Sequence, residues 1–420
     1  MNVLLTGASG FIGSHLARAL RAAEHVVIEA RRDIEPGTAA VQTDFTRDLS
    51  AREWMPKLAG VDAVINAVGI IREHGEHTFE RIHKRAPQAL FTACVAAGVR
   101  RVVQISALGA DRGMTRYFRS KRAADDYLAT LPLDWTIVRP AIVYGTGGAS
   151  ARLFTMLASM PWVPLPGRGE QRVQPIYIDD FIAAVVRLLS DEASHRMRVE
   201  LVGPQPVMLR ELLGELRAAM SLGPPRFLPV PLPLMHAGAR IAALSTRSSL
   251  EPETLAMLEA GNTGDATATS QLIGRAPRPV AKFIDAQARS ATLTAARLMW
   301  LLPLIRISIA MVWIWTAVVS LWLYPRASSY ELLARTGIGR SLAPLFLYAA
   351  AVLDLVFGMA TLMLRDRRLL WLAQIVVIVG YTVIITWRLP EFWLHPYGPI
   401  LKNLPMLAAL YMLYALEPRG

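Results

Sequence analysis

Cysteine is nearly absent from this chain: Cys94 is the single one in 420 residues. An internal disulfide is therefore excluded, as is any metal site built from several thiolates. The apolar neighbours of Cys94 mark it as a buried core thiol, and no metal is expected. Acidic residues are also in short supply, 33 Asp and Glu against 45 Lys and Arg, for a formal net charge of +12. The basic residues are scattered, and many stand beside long apolar runs, so nucleic acid is not an expected partner. No signal peptide precedes the first apolar segment, which leads to the expectation of an N-terminal domain in the cytoplasm. Internal repeats and low-complexity tracts are missing as well.

What the chain has in excess is apolar surface, and it is unevenly spread. The hydrophobic share is 53%, and seven of the ten Trp lie between Trp300 and Trp393. Ile307–Tyr324 runs eighteen residues without a charge and Leu369–Trp387 nineteen. Leu342–Leu364 is interrupted only by Asp354, and Asn403–Leu416 is a shorter fourth run. Stretches of this length span a bilayer. The expectation is a soluble-type domain over 1–285, a linker over 286–299, and a four-helix transmembrane bundle over 300–420. With four spans, both termini face the cytoplasm. Arg365–Arg368 then satisfies the positive-inside rule, whereas the arginines of Pro325–Ser341 oppose it. Asp354 lies inside a span, with Lys402, His395 and Arg388 as candidate partners.

The N-terminus carries the clearest chemical signal. Asn2–Thr6 reads as a buried parallel strand, and Gly7, Gly10 and Gly13 follow at three-residue spacing before a helix-period run from Phe11 to Leu20. A strand, a glycine turn and a helix N-terminus form a site for a dinucleotide pyrophosphate. Gly7 permits the turn, Gly10 admits the phosphates and Gly13 lets helix and strand pack closely. Gly7, Ser9, Gly10, Phe11, Ile12 and Gly13 are the candidate cofactor-binding residues of this segment. Strand candidates Val26–Ala30, Ala63–Ala67, Val102–Ser106 and Trp135–Arg139 alternate with helical patterns such as Thr78–Ala97 and Tyr117–Leu131. That alternation predicts an α/β Rossmann fold with a doubly wound parallel sheet. From about residue 140 the pattern loosens into a substrate or lid region. There Pro161–Pro175 reads as a loop, Gly223–Pro233 as a breaker and Ser245–Asp285 as a polar lid or small helical substrate region.

Further cofactor signals sit at strand ends. Arg31 and Arg32 close the second strand, where an NAD enzyme places an acid for the ribose, so NADP(H) is expected rather than NAD. Glu29 lies earlier in that strand. Asp44, after a short third strand, is a candidate for the adenine amino group, and Ala67 and Gly69 end the fourth strand, where the cofactor crosses the sheet edge. Tyr117 and Lys121 stand four apart and so share one helix face. Ser106 ends the preceding strand. A tyrosine can move the proton at a carbonyl or alcohol, a nearby ammonium lowers the phenol pKa and holds the nicotinamide ribose, and the serine orients the carbonyl. Ser106, Tyr117 and Lys121 are the candidate catalytic residues.

Gly7–Gly13, Ser106, Tyr117–Lys121 and Arg139-Pro140 resemble the short-chain dehydrogenase/reductase superfamily in its extended and atypical branch. Val64–Gly69, Gln174–Asp180, Val202-Gly203-Pro204 and Arg31 are similar to the NADPH-binding accessory subunits of respiratory complex I and their bacterial relatives. The resemblance covers residues 1–285 and implies bound NADP(H). His83 occupies a position where extended enzymes often carry Asn, and reads as a polar helix-face residue. Residues 300–416 resemble DoxX-like membrane domains through Asp354–Gly358, Trp371, Gln374, Gly380-Tyr381 and His395–Pro405. The combined expectation is a membrane-anchored NADP(H)-dependent oxidoreductase of the inner membrane, acting on an apolar, quinone- or lipid-like substrate. A non-catalytic NADPH-binding protein with a membrane-protein partner is the second reading, and an epimerase or isomerase the third.

Overall fold

The computed structural model describes residues 1–34, 40–191, 195–242, 252–396 and 398–417, with only the backbone given for residues 241 and 242. The chain forms two compact units, Met1–Ala296 and Arg297–Gly420. In the first, β1 (Asn2–Thr6) leads into α1 (Phe11–Ala22), followed by β2 (Val26–Arg31), β3 (Ala40–Gln42) and β4 (Ala63–Asn66). Then come α2 (Ala86–Ala97), β5 (Arg101–Ile105), α3 (Arg116–Ala129), β6 (Asp134–Pro140), α4 (Ile178–Ser190) and β7 (Met197–Leu201). The seven strands form one sheet in the order β7-β6-β5-β4-β1-β2-β3, and every pairing is parallel. The strands are apolar throughout because both faces are covered. Leu5, Leu16 and Phe181 belong to the core on one face, and Leu4, Leu90 and Leu128 to the core on the other. Strand order reverses between β1 and β4, the place where such sheets open a ligand crevice.

The region after residue 140 is more regular than its composition predicts. Val163–Pro166 and Phe227–Val230 pair in parallel as a two-stranded sheet. Gly223–Pro233 therefore does not exclude regular structure. Prolines are tolerated there because each strand of a two-stranded sheet has a free edge. The polar stretch Ser245–Asp285 contains helices Pro252–Glu259 and Thr267–Ile273, in line with the small helical region expected as one alternative there. Its residues 245–251 lie outside the described residues, as does Tyr397 of the membrane-domain motif.

Helix α5 (Arg289–Val318) leads out of the first unit, so residues 289–299 are helix rather than loose linker. The second unit continues with α6 (Ala343–Met363), α7 (Arg368–Arg388) and α8 (Asn403–Leu416). Among the described residues three helical stretches are long and apolar enough to cross a membrane: Arg289–Leu323, Ala343–Met363 and Arg368–Arg388. The expected fourth span is the exception. With 14 residues, α8 is about 21 Å long, short of a hydrocarbon core of about 30 Å. It still packs in the bundle, where Trp313, Phe357, Trp371, Leu410 and Leu413 share one core.

Polar side chains tie this bundle. Trp313 Nε1 donates to Gln374 Oε1 at 2.9 Å, and Gln374 Nε2 donates to Thr361 Oγ1 at 2.9 Å. Glu417 accepts from Arg306 at 3.0 Å and from Trp371 Nε1 at 3.3 Å, and faces Arg367 at 3.5 Å. Arg367 is thus a buried structural partner rather than a free loop charge. Asp354 is buried, and its Oδ1 has no hydrogen-bond partner among the described residues. None of the partners expected for it, Lys402, His395 or Arg388, is paired with it.

Candidate functional site

The turn between β1 and α1 is built on close approach. Gly7 has φ +70°, and a Cβ there would lie 2.9 Å from the Ala67 carbonyl oxygen. A Cβ on Gly13 would lie 2.0 Å from the Gly7 carbonyl oxygen, so no side chain fits. Gly10 is exposed at the N-cap of α1, beside exposed Ser9. Phe11 and Ile12 pack against the core, and the Phe11 ring closes on Gly145 and Gly148. The first turn of α1 therefore presents backbone N–H groups beside an open glycine, which fits a pyrophosphate.

Beside this turn lies a cavity of about 340 Å³ lined by Ala8, Ser14, Ala17, Arg18, Arg21, Glu29 and Arg31. Glu29 accepts from Arg21 Nη2 at 2.5 Å and from Arg31 Nε at 2.5 Å. Burial alone would raise the Glu29 carboxyl, but the two arginines hold it below the usual carboxylate range. Arg32 is exposed and does not line the cavity. Arg18 and Arg21 do, and sequence reasoning missed them; their three-residue spacing on α1 was the available signal. Asp44 Oδ1 accepts from the Thr46 N–H at 2.9 Å and hydroxyl at 2.7 Å. Its burial pushes the carboxyl up, but those bonds and Arg47 bring it net below its ordinary value.

The second group of candidates gathers at the ends of β4 and β5. Thr115 caps α3 by accepting from the Phe118 N–H at 3.2 Å, which sets Tyr117 in the first turn and Lys121 one turn later. The Lys121 ammonium is buried and donates to the Ile105 carbonyl at 3.1 Å. A Cβ on Gly69 would lie 3.1 Å from Lys121 Nζ and 3.6 Å from His83 Nε2, so glycine keeps this space open. Burial lowers the Lys121 pKa to about 8, against the pull of Asp125. The Tyr117 ring stands edge-on to Phe79, His83 and Phe118, with centroids 5.9, 5.3 and 5.6 Å away. Burial, with the Asp125 charge, raises its phenol to about 12. That departs from the lowered phenol the sequence suggests, because desolvation and the Asp125 carboxylate both act to raise it.

His83 is buried, not a helix-face residue. It lies in a π-helical stretch, Glu80–Arg85, just before Pro87. Pro87 has no N–H for the carbonyl four residues back, and the turn widens there. Ser120 Oγ donates to the Tyr117 carbonyl at 2.7 Å, so its hydrogen is committed. His83 Nδ1 therefore donates to Ser120 Oγ at 2.9 Å, and Nε2 accepts the Ile70 N–H at 2.9 Å. That pattern fixes a neutral imidazole. Burial and the neighbouring Lys121 charge push its pKa well down.

Ser106 behaves differently from its expected role. Its hydroxyl donates to Asp125 Oδ2 at 2.5 Å, beneath the crevice. Arg139 Nε lies 3.8 Å from the same oxygen, and Arg139 Nη1 lies 3.7 Å from Asp111. Tyr117, Lys121, His83 and Gly69 are thus brought together, while the Ser106 hydroxyl is engaged by a buried carboxylate that the sequence did not single out. Asp125 reads in sequence as one more charge on a polar helix.

Residues 7–155 match the NAD(P)H-binding family, and residues 310–411 match the DoxX-like family. The chain joins an NAD(P)-binding Rossmann domain to a DoxX-like domain. Over 250 residues the chain is 28% identical to a ceramide reductase of Caulobacter vibrioides, covering 58% of this chain and 78% of the relative. Over 246 residues it is 28% identical to the NADH dehydrogenase [ubiquinone] 1 alpha subcomplex subunit 9 of Arabidopsis thaliana, covering 56% of this chain. The match spans 61% of that subunit, less than two thirds of its length. The fold also matches a nucleoside-diphosphate-sugar epimerase of Staphylococcus aureus, with TM-score 0.56 and 20% identity over 67% of this chain and 99% of that one. The NAD(P)-binding domain thus has a fold shared by reductases and epimerases, and the glycine cradle and arginine-lined cavity fit the dinucleotide.

The Asp125 cluster generates a stability prediction. Asp125→Ala leaves the Ser106 hydroxyl and Arg139 buried without their carboxylate, a loss of about 3 kcal/mol; a lowered thermal midpoint of the full chain would report it. Burial raises the Asp125 pKa to about 6. The ionised form therefore costs stability above that pH, and the cost eases as pH falls. Relative to Asp125→Asn, the native chain should gain stability between pH 7 and pH 5, and an unchanged difference would refute the shift.

Proposed function

We propose that this protein is a membrane-anchored NADP(H)-dependent oxidoreductase acting on the carbonyl or alcohol of an apolar, quinone- or lipid-like substrate, with the bound nicotinamide supplying or accepting the hydride. The observation that carries this reading is the pair of half-buried Tyr117 and buried Lys121, set one turn apart where β4 and β5 end beside open Gly69. Tyr117 acts as the proton donor or acceptor. A phenol kept protonated by burial favours donation to a carbonyl oxygen, and hence reduction to the alcohol. Lys121 balances the charge left on the phenolic oxygen and holds the nicotinamide ribose. His83 keeps the Ile70 N–H and the strand end in place. Ser106 is positioned by Asp125 and must leave it to reach a substrate oxygen. The 28% identity to a ceramide reductase is consistent with a lipid-like substrate.

NADP(H) is favoured over NAD because three guanidinium groups, Arg18, Arg21 and Arg31, meet one carboxylate, Glu29, around a single cavity. Gly7, Ser9, Gly10, Phe11, Ile12 and Gly13 hold the pyrophosphate, Asp44 the adenine, and Ala67 and Gly69 the nicotinamide side. The nucleotide domain, about residues 1–285, faces the cytoplasm, with the DoxX-like domain in the inner membrane.

One observation favours a second reading, a non-catalytic NADPH-binding protein assisting a membrane or respiratory assembly. The Ser106 hydroxyl is committed to Asp125 rather than free to orient a carbonyl beside Tyr117. The likeness to a complex I subunit supports the same reading.

The cofactor, the chemistry and the orientation can each be tested. Calorimetric titration should show tighter binding of NADPH than of NADH. Arg31→Ala should erase about tenfold or more of that preference, since a charge-assisted contact is worth about 1.5–3 kcal/mol, while Arg32→Ala changes little; equal affinities in the native chain would sink the NADP(H) assignment. Tyr117→Phe should abolish turnover of a quinone or lipid carbonyl while leaving NADPH affinity unchanged. In the native chain turnover should fall above about pH 8 as the Lys121 ammonium loses its proton. Full complementation of a deletion strain by Tyr117→Phe would decide for the binding-protein reading. For orientation, an impermeant thiol reagent on intact cells should leave Met114→Cys unlabelled until lysis, and early labelling would reverse the assignment.

A further inference from the structure

The first unit carries an apolar surface that its own core does not use. Strand Val163–Pro166 pairs with Phe227–Val230 so that Val163 faces Phe227 and Pro164 faces Leu228. Alternation sends Val163 and Leu165 inward, where both are buried, and leaves Trp162, Arg226 and Leu228 on the opposite face. Trp162 is 56% exposed and Leu228 48%. The chain then runs outward through Leu232 and Leu234, both exposed, the latter at 62%. Exposed large apolar residues gathered on a strand pair and on the helix that directly follows it mark an interaction site.

The exposed charges of these segments are mostly cationic. The Arg226 guanidinium lies over the Trp162 ring, 5.7 Å from its centroid. Arg168 and Arg240 are exposed nearby in sequence, and the one acid of the same segments, Glu170, faces Arg210 at 3.9 Å. A tryptophan with leucines around it and arginine at its edge is the composition of a membrane–water interface, where the ring sits at headgroup depth and the guanidinium meets phosphate.

We propose that this face docks on the anionic bilayer in which the chain's own apolar helices sit. The acyl boundary covers Trp162, Leu228, Leu232 and Leu234, and lipid phosphates meet Arg168, Arg226 and Arg240. The tether makes this association intramolecular, so even a weak intrinsic affinity suffices. The proposal goes beyond the redox reading and requires only that the spans lie in a bilayer.

Spin labels on the full chain test it, in vesicles of phosphatidylcholine with phosphatidylglycerol. Leu228→Cys and Leu234→Cys carry the labels; Cys94 stays unlabelled because it is wholly buried and its thiol is pushed up to about 12. Met114→Cys, at a site 74% exposed, reports water, and Val376→Cys, on α7 and 68% exposed, reports lipid. The oxygen-to-nickel collision ratio at 228 and 234 should exceed that at 114 several-fold, and should fall in phosphatidylcholine alone. Ratios equal to that at 114, with lipid still seen at 376, would overturn the proposal. Shielding from both reagents would also overturn it, since a protein partner or second copy would then cover the face. A ratio indifferent to anionic lipid would remove the arginines' role, and water at 376 would overturn the docking together with the spans.

Discussion

No side chain fits between the start of α1 and the turn before it. With Gly13 stacked on the Gly7 carbonyl, and Gly7 on the Ala67 carbonyl, the helix N-terminus is pressed onto the carboxyl ends of β1 and β4. The other features of the first unit are arranged around that contact. It sets the register at which α1 leaves the sheet, and so brings Arg18 and Arg21 over β2, where Glu29 engages Arg21 and Arg31. It also fixes the strand end from which Gly69 and Ile70 extend towards Lys121 and His83.

Under the crevice the chain trades charge against burial. Lys121, Asp125 and Arg139 are all buried, and each leans on a neighbour rather than on water. Their mutual attraction lowers the desolvation cost without removing it, as the displaced Lys121 and Asp125 titrations record. Neutral His83 completes the arrangement by filling its two ring positions with one donor and one acceptor. A buried polar cluster of this kind defines a unique geometry only when nearly every member is satisfied.

Much of this was legible in the sequence because it depends on local rules. Glycine spacing after a strand, and apolar strands alternating with helices, specify the doubly wound sheet, and the Tyr117–Lys121 spacing specifies a shared helix face. What escaped was decided by tertiary context. Strand β7, Met197–Leu201, mixes Arg198 and Glu200 into its pattern, and reads as strand only when it lies beside β6. Asp125 and His83 look like surface polar residues until α2 and α3 pack and enclose them. The prolines of Val163–Pro166 and Phe227–Val230 argue against strands unless each is known to have a free edge. In the second unit, apolar runs located the helices, but hydropathy does not measure the shortfall of α8 against a bilayer.

The Trp313–Gln374–Thr361 relay has a consequence for how this bundle can change over time. In lipid, apolar helix surfaces gain little from meeting one another, so packing and polar bridges decide which faces meet. One carboxamide here joins α5, α6 and α7 by donating to one neighbour and accepting from another. Outward positions such as Leu369 and Val376 need only remain apolar, and can drift among aliphatic residues. Gln374 has no such latitude: its two neighbours require opposite halves of the same group, so a replacement there that lacks either half calls for a compensating change at Trp313 or Thr361.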